Sequence, residues 1–193
     1  MIRSSSREMS LEIFIHMDAA PRDTWTGADM DARPLTDLGW KQSERIADLI
    51  LESGPVDAII SSPALRATQS LEPLSKRTAI SVEVTPGFGD TFRYRAPDGW
   101  DNPDNPGPSP LGGAYSAGKA LSELHGLLAR SDVSRAILCS YDDIVPAFLS
   151  CVAGLYGVAM PERLRGKGYF YVVEIKGDSV SLFNKPAPED FPV

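Results

Sequence analysis

Cysteine and histidine are scarce in this sequence, and their scarcity excludes several ways of building a protein. Its 193 residues contain two cysteines and two histidines. Cys139 and Cys151 stand in no CxxC motif and make no disulfide framework, so both read as buried thiols. His16 and His125 have no paired thiolates beside them, so no zinc site is expected, nor any other metal or cofactor. No apolar run approaches the ~18 residues that a membrane span needs. The polar opening, residues 1–10, carries Arg3 and Arg7 but no apolar stretch of signal-peptide length. A flexible tail over those ten residues and a cytoplasmic location are therefore expected. There is no Gly-rich phosphate loop, no GxSxG elbow, no internal repeat and no low-complexity linker.

What is present has the balance of a globular domain, with 42% hydrophobic and 23% charged residues. That supply suffices for one core without staples, and the length suits a single domain over residues 11–193. A net charge of −7 argues against nucleic acid or an anionic membrane as partner. A small-molecule ligand is expected, not necessarily a phosphate ester, and nothing in the sequence assigns an oligomeric state.

Apolar periodicity alternates strand and helix along the chain. Strands are predicted at Leu11–Ile15, Val56–Ser61, Ile80–Val84 and Ala136–Ser140, with a hairpin from Tyr169 to Asn184 at the sheet edge. Helices are predicted at Thr36–Glu52, from Ser62 towards Leu74 with Ser62 as cap, at about Ala114–Arg130 and at Ile144–Tyr156. This order predicts an α/β three-layer sandwich, a mostly parallel sheet with helices on both faces. The segment from Pro86 to Gly113, rich in Pro, Gly and Asp, reads as a lid or a surface insertion, and its aromatic residues favour the lid.

Ligands in such sheets bind beyond the carboxyl ends of the strands. That rule gathers Ile15–Asp18, Ser61–Arg66 and Ser140–Asp143 around one crevice. His16 stands at the first strand's end. Arg66 stands near the start of a helix, where its planar donor fork would add to the dipole's positive end.

The same residues carry a family resemblance. Ile13-Phe14-Ile15-His16-Met17-Asp18-Ala19 resembles the strand and Arg-His-Gly-Glu/Asp-Ala pattern of the histidine phosphatase (phosphoglycerate mutase-like) superfamily. Arg33-Pro34-Leu35-Thr36-Asp37-Leu38-Gly39 is similar to its Pro-Leu-Thr-x-x-Gly helix start. Ser61-Ser62-Pro63-Ala64-Leu65-Arg66-Ala67-Thr68-Gln69-Ser70 is similar to its Ser-Ser-Pro-x-x-Arg-Ala-x-Gln-Thr signature, and Cys139-Ser140-Tyr141-Asp142 lines up with its Ser-His-Gly segment. The resemblance implies His16 as the nucleophile that becomes phosphorylated, Arg66 as a phosphate ligand and Asp90 as the acid for the leaving group.

The departures fall on the positive charge. Ile15 stands where the family has arginine and Tyr141 where it has its second histidine. Met17 and Asp142 stand where it has glycines. Asp142 and Asp143 would further turn the pocket mixed or acidic. The expected substrate-lining set is thus Arg66, Ile15, Asp18 and Asp142, around catalytic His16, Asp90 and Tyr141. Such a pocket suits acid–base chemistry on a small molecule better than efficient phosphate hydrolysis. Weak phosphomonoester hydrolysis through His16, and binding without catalysis, are the two alternatives.

Overall fold

The computed structural model describes residues 8–89 and 110–193. Six strands form one sheet: β1 (Glu8–Ile15), β2 (Ala58–Ser61), β3 (Val82–Val84), β4 (Arg135–Ser140), β5 (Phe170–Lys176) and β6 (Ser179–Lys185). Their order is β3-β2-β4-β1-β5-β6. The first four strands run parallel, while β5 is antiparallel to both β1 and β6. The helices are α1 (Asp37–Glu52), α2 (Leu65–Thr78), α3 (Pro110–Ala129) and α4 (Ile144–Tyr156).

Strict alternation along the central strands divides the core in two. Leu11, Ile13 and Ile15 of β1 join Ala136 and Leu138 of β4 against Leu124 of α3 and Phe148 of α4. Phe14, Ile137 and Cys139 point the other way, against Ile46 and Ile50 of α1 and Leu71 of α2. A strand buried on both faces has to be apolar at both parities. The α/β sandwich follows from that pattern. Among the described residues no helix is long and apolar enough to cross a membrane.

Several boundaries differ from the sequence reading. β1 starts at Glu8, because Glu8 and Met9 pair with Lys176 and Ile175 of β5; the last three residues of the expected tail are strand. Helix α2 starts at Leu65, with Ala64 at its cap position and no side-chain cap. The N–H of Ser62 donates to Cys139 O at 3.0 Å, which ties Ser62 to β4 and delays the helix. Helix α3 begins at Pro110, four residues before the expected start, at a position where proline's missing N–H costs nothing. The hairpin is at the edge only through β6; β5 is internal, beside β1. Of the expected lid, residues 86–88 form a 3₁₀ turn with Phe88 buried, and 90–109, including Asp90, lie outside the described residues.

Candidate active site

β1, β2 and β4 end side by side, and the residues that follow them meet. The N–H of His16 donates to Ser140 O at 3.1 Å, one step beyond the β1–β4 ladder. The His16 ring lies edge-on to the Tyr141 ring, with centroids 6.5 Å apart. The Arg66 guanidinium carbon lies 4.9 Å from the centre of the Tyr141 ring, a cation–π stack.

The turn after His16 is clamped to α1 and α2. Met17 N–H donates to Ser70 Oγ at 2.9 Å, and the Met17 side chain is fully buried against that face of the sheet. Asp18 takes part through three groups. Its N–H donates to Gln42 Oε1 at 2.9 Å, and its carbonyl accepts from Thr36 N–H at 3.1 Å. Its carboxylate accepts from Thr36 Oγ1 at 2.5 Å. Thr36 also caps α1, accepting from Gly39 N–H. A Cβ on Gly39 would stand 2.0 Å from Asp18 O, so the Pro-Leu-Thr-x-x-Gly segment needs its glycine for this close approach.

His16 itself is set up as a neutral base. Its Nδ1 faces Met17 O at 2.8 Å. A carbonyl only accepts, so Nδ1 carries the proton and Nε2 keeps its lone pair. Burial and then the charge of Lys167 push the pKa down to about 3; Arg66 and Arg33 act in the same direction.

Those three cations stand with Asp31 and Asp142 in a pocket of mixed charge. Arg66 is 2% exposed and Arg33 6%. Arg66 Nη1 donates to Met30 O at 2.9 Å and Arg33 Nη1 to Ala20 O at 2.6 Å, while both Nε atoms are buried without a partner. Among the described residues neither guanidinium forms an ion pair with a carboxylate. Lys167, whose own pKa burial lowers, donates from Nζ to His16 O at 2.5 Å. Lys167 on the His16 carbonyl, Arg66 on the Tyr141 ring and the more remote charge of Arg33 bias this end of the sheet towards anions.

The remaining sequence-derived residues are spread around this centre. Ile15 packs into the core on the α3/α4 face and also lines a cleft of about 370 Å³ next to His16. Asp142 lines the same cleft, exposed, 3.4 Å from Arg163. Asp18 spends its carboxylate on Thr36, as above. The Tyr141 hydroxyl donates to Asp31 Oδ1 at 3.1 Å; burial, then the Asp31 charge, raises its pKa well above the ordinary phenol value. The sequence reading missed Asp31, Arg33, Arg163, Arg165 and Lys167. The available signal was the alternation Arg163-Leu164-Arg165-Gly166-Lys167-Gly168, three cations within five residues of an acidic chain.

Comparisons with known proteins bear on the fold. The family model for the histidine phosphatase superfamily (branch 1) matches residues 21–92, which hold the α1 and α2 start motifs. That match spans less than half of the chain, so the histidine phosphatase superfamily is what this segment is similar to. Among solved structures, it resembles a mycobacterial glucosyl-3-phosphoglycerate phosphatase in complex with inorganic phosphate. That match has 17% identity, covers 96% of this chain and 99% of the other, and gives a TM-score of 0.65. The protein histidine phosphatase SixA, complexed with tungstate, matches with 23% identity over 90% of this chain and 94% of its own, at a TM-score of 0.53. A structure titled mycobacterial hydrolase 2 matches with 16% identity over 94% and 91%, at 0.64. At these identities the likeness is one of fold. No curated protein matches the chain by sequence.

Proposed function

We propose that this chain is a histidine-phosphatase-type phosphomonoesterase whose nucleophile is His16 Nε2. The observation that carries the reading is a neutral imidazole whose Nδ1 proton is held by Met17 O, with Lys167 on the His16 carbonyl and Arg66 stacked on the adjoining Tyr141 ring. Nε2 attacks phosphorus, the bond to the ester oxygen breaks, and a phosphohistidine forms; water then cleaves the N–P bond and releases phosphate. The three cations balance charge on the phosphoryl oxygens as they pass through the transition state. In this reading Arg33 and Lys167 take over from the family's arginine before the nucleophile and its second histidine. Tyr141 positions Arg66 through its ring face. Asp90 supplies the proton to the leaving oxygen, a role that rests on the resemblance.

Acid–base chemistry without phosphate has weaker support. The Tyr141 hydroxyl is held protonated and faces Asp31, and Asp142 stands on the surface beside Arg163.

The test is hydrolysis of 4-nitrophenyl phosphate, with chemical quench and mass spectrometry for phosphohistidine. The expected result is turnover with phosphate trapped on His16, abolished in His16→Ala. Lys167→Met and Arg33→Met should each lower kcat/KM by about 10²–10³. Phosphate binding with neither turnover nor trapped phosphate would overturn the reading in favour of a binding protein.

A further inference from the structure

Arg66 stacks on the ring next to His16, yet it is buried and does not line the cleft beside that histidine. Its guanidinium is held instead by the segment between β1 and α1. Residues 21–32 of that segment form a loop whose ends are pinned together. Ala20 N–H donates to Pro34 O at 2.9 Å, and Arg33 Nη1 to Ala20 O at 2.6 Å. Between those pins no residue is buried. The far end of the loop is the 3₁₀ turn Met30–Ala32, capped by Asp29, whose side chain accepts from Asp31 N–H. Two hydrogen bonds carry this turn onto the site. Arg66 Nη1 donates to Met30 O at 2.9 Å, and the Tyr141 hydroxyl to Asp31 Oδ1 at 3.1 Å. Arg66 Nε stays buried without a partner, so the carbonyl leaves the guanidinium under-satisfied.

We infer that the 21–32 loop is an autoinhibitory latch: it closes over Arg66, and an oxyanion arriving at His16 lifts it to reach the guanidinium. This latch, which rests on the phosphomonoesterase reading, adds how that same site is kept shut. Met30 O and the Asp31 carboxylate are acceptors, as phosphoryl oxygens are, so they occupy donors for which an anion competes. A tetrahedral oxyanion offers the arginine fork two charged acceptors in place of one neutral carbonyl. The stack on Tyr141 keeps Arg66 in position when Met30 O leaves. A loop that buries none of its residues has little local stability, so it opens at a small fraction of the cost of unfolding. While it is shut the site cannot use Arg66, and apparent affinity falls with the open fraction.

The test uses tungstate, an oxyanion that cannot turn over, on the full chain. Amide exchange with water is followed residue by residue by NMR, without tungstate and at saturation. The N–H groups of Asp31 and Ala32, both bonded to Asp29, should exchange roughly threefold faster or more with the anion bound. Those of Ala20 and Thr36, at the pinned base, should not change. Tyr141→Phe removes one bond of the latch, alters no charge and keeps a ring under Arg66. It should tighten tungstate binding about fivefold in titration calorimetry. Unchanged or slower exchange at Asp31 and Ala32 overturns the latch and leaves the phosphatase reading standing, as does a Tyr141→Phe protein that binds no tighter. Opening of the loop with no phosphohistidine trapped from 4-nitrophenyl phosphate keeps the latch and overturns the phosphatase reading. Failure of both proteins to bind tungstate overturns both.

Discussion

At the scale of single residues, the site is defined by where protons rest. His16 has its Nδ1 proton fixed by Met17 O and its charged form opposed by burial and by three neighbouring cations. Its pKa is pushed down to about 3 from an ordinary 6.5. As pH falls through about 6.5, the unfolded chain takes up a proton at this position and the native state does not, so this group's contribution to stability declines from there towards the folded value. The His16 Cε1–H resonance should therefore stay flat between pH 5 and 8. A midpoint near 6.5 in that titration would mean that the surrounding charge is not felt. The missed cations also belong to this scale. Arg33 precedes a motif proline and Lys167 sits between two glycines with positive φ, 91° at Gly166 and 83° at Gly168. Neither residue type is unusual in a loop, so neither announced itself.

At the scale of elements, local chemistry and tertiary pairing divide the explanation. The ends of α1 and α4 were legible, because a Thr cap, an early proline and a run of periodic apolar residues act within a few positions of each other. The start of α2 was not, because Ser62 N–H is captured by Cys139 O in a strand distant in sequence. The convergence of the β1, β2 and β4 ends was legible from the general rule for parallel sheets. The contribution of the loop before β5 was not, since it depends on β5 lying beside β1. Once Ile13 pairs with Tyr171 in antiparallel register, the residues before β5 must arrive at the carboxyl end of β1. The clamp between α1 and the His16 turn gives a prediction at this scale. Gly39→Ala would press a methyl group into the Asp18 carbonyl, a backbone atom without freedom to retreat. It should destabilise the fold by about 1–3 kcal/mol in urea unfolding, and lower the proposed phosphatase turnover as well, because the His16 turn is displaced. Unchanged stability with unchanged kcat would show that the turn and helix are not coupled.

At the scale of the whole molecule, one ion cluster joins the sheet to α1. Glu12 of β1 is 4% exposed and accepts from Arg135 Nε at 2.9 Å, with Lys185 Nζ at 3.2 Å from the same oxygen. Arg135 Nη1 also donates to Ile50 O and Gly54 O, at the end of α1. Burial alone would raise the Glu12 pKa, but the bonds and charges of Arg135 and Lys185 outweigh it and hold the carboxyl below its ordinary value of 4.5. The stability so gained is present above that value and lost as pH falls through the lower folded one. Arg135→Met should therefore cost about 3 kcal/mol at pH 7, and the gap to the unmodified protein should narrow at pH 3. Urea midpoints at the two pH values decide it, and a gap that does not change with pH would leave the cluster without an ionic role.

The central place of β1 also bears on how the chain is made. β1 has β4 and β5 as its sheet neighbours, so both of its edges stay unpaired until residues 135–140 and then 170–176 have been synthesised. His16 is thus translated well before the lysine that grips its carbonyl, which comes 151 positions later. A nascent chain displaying the α1 and α2 motifs has no working pocket, and its bare apolar strand is what a chaperone would meet first.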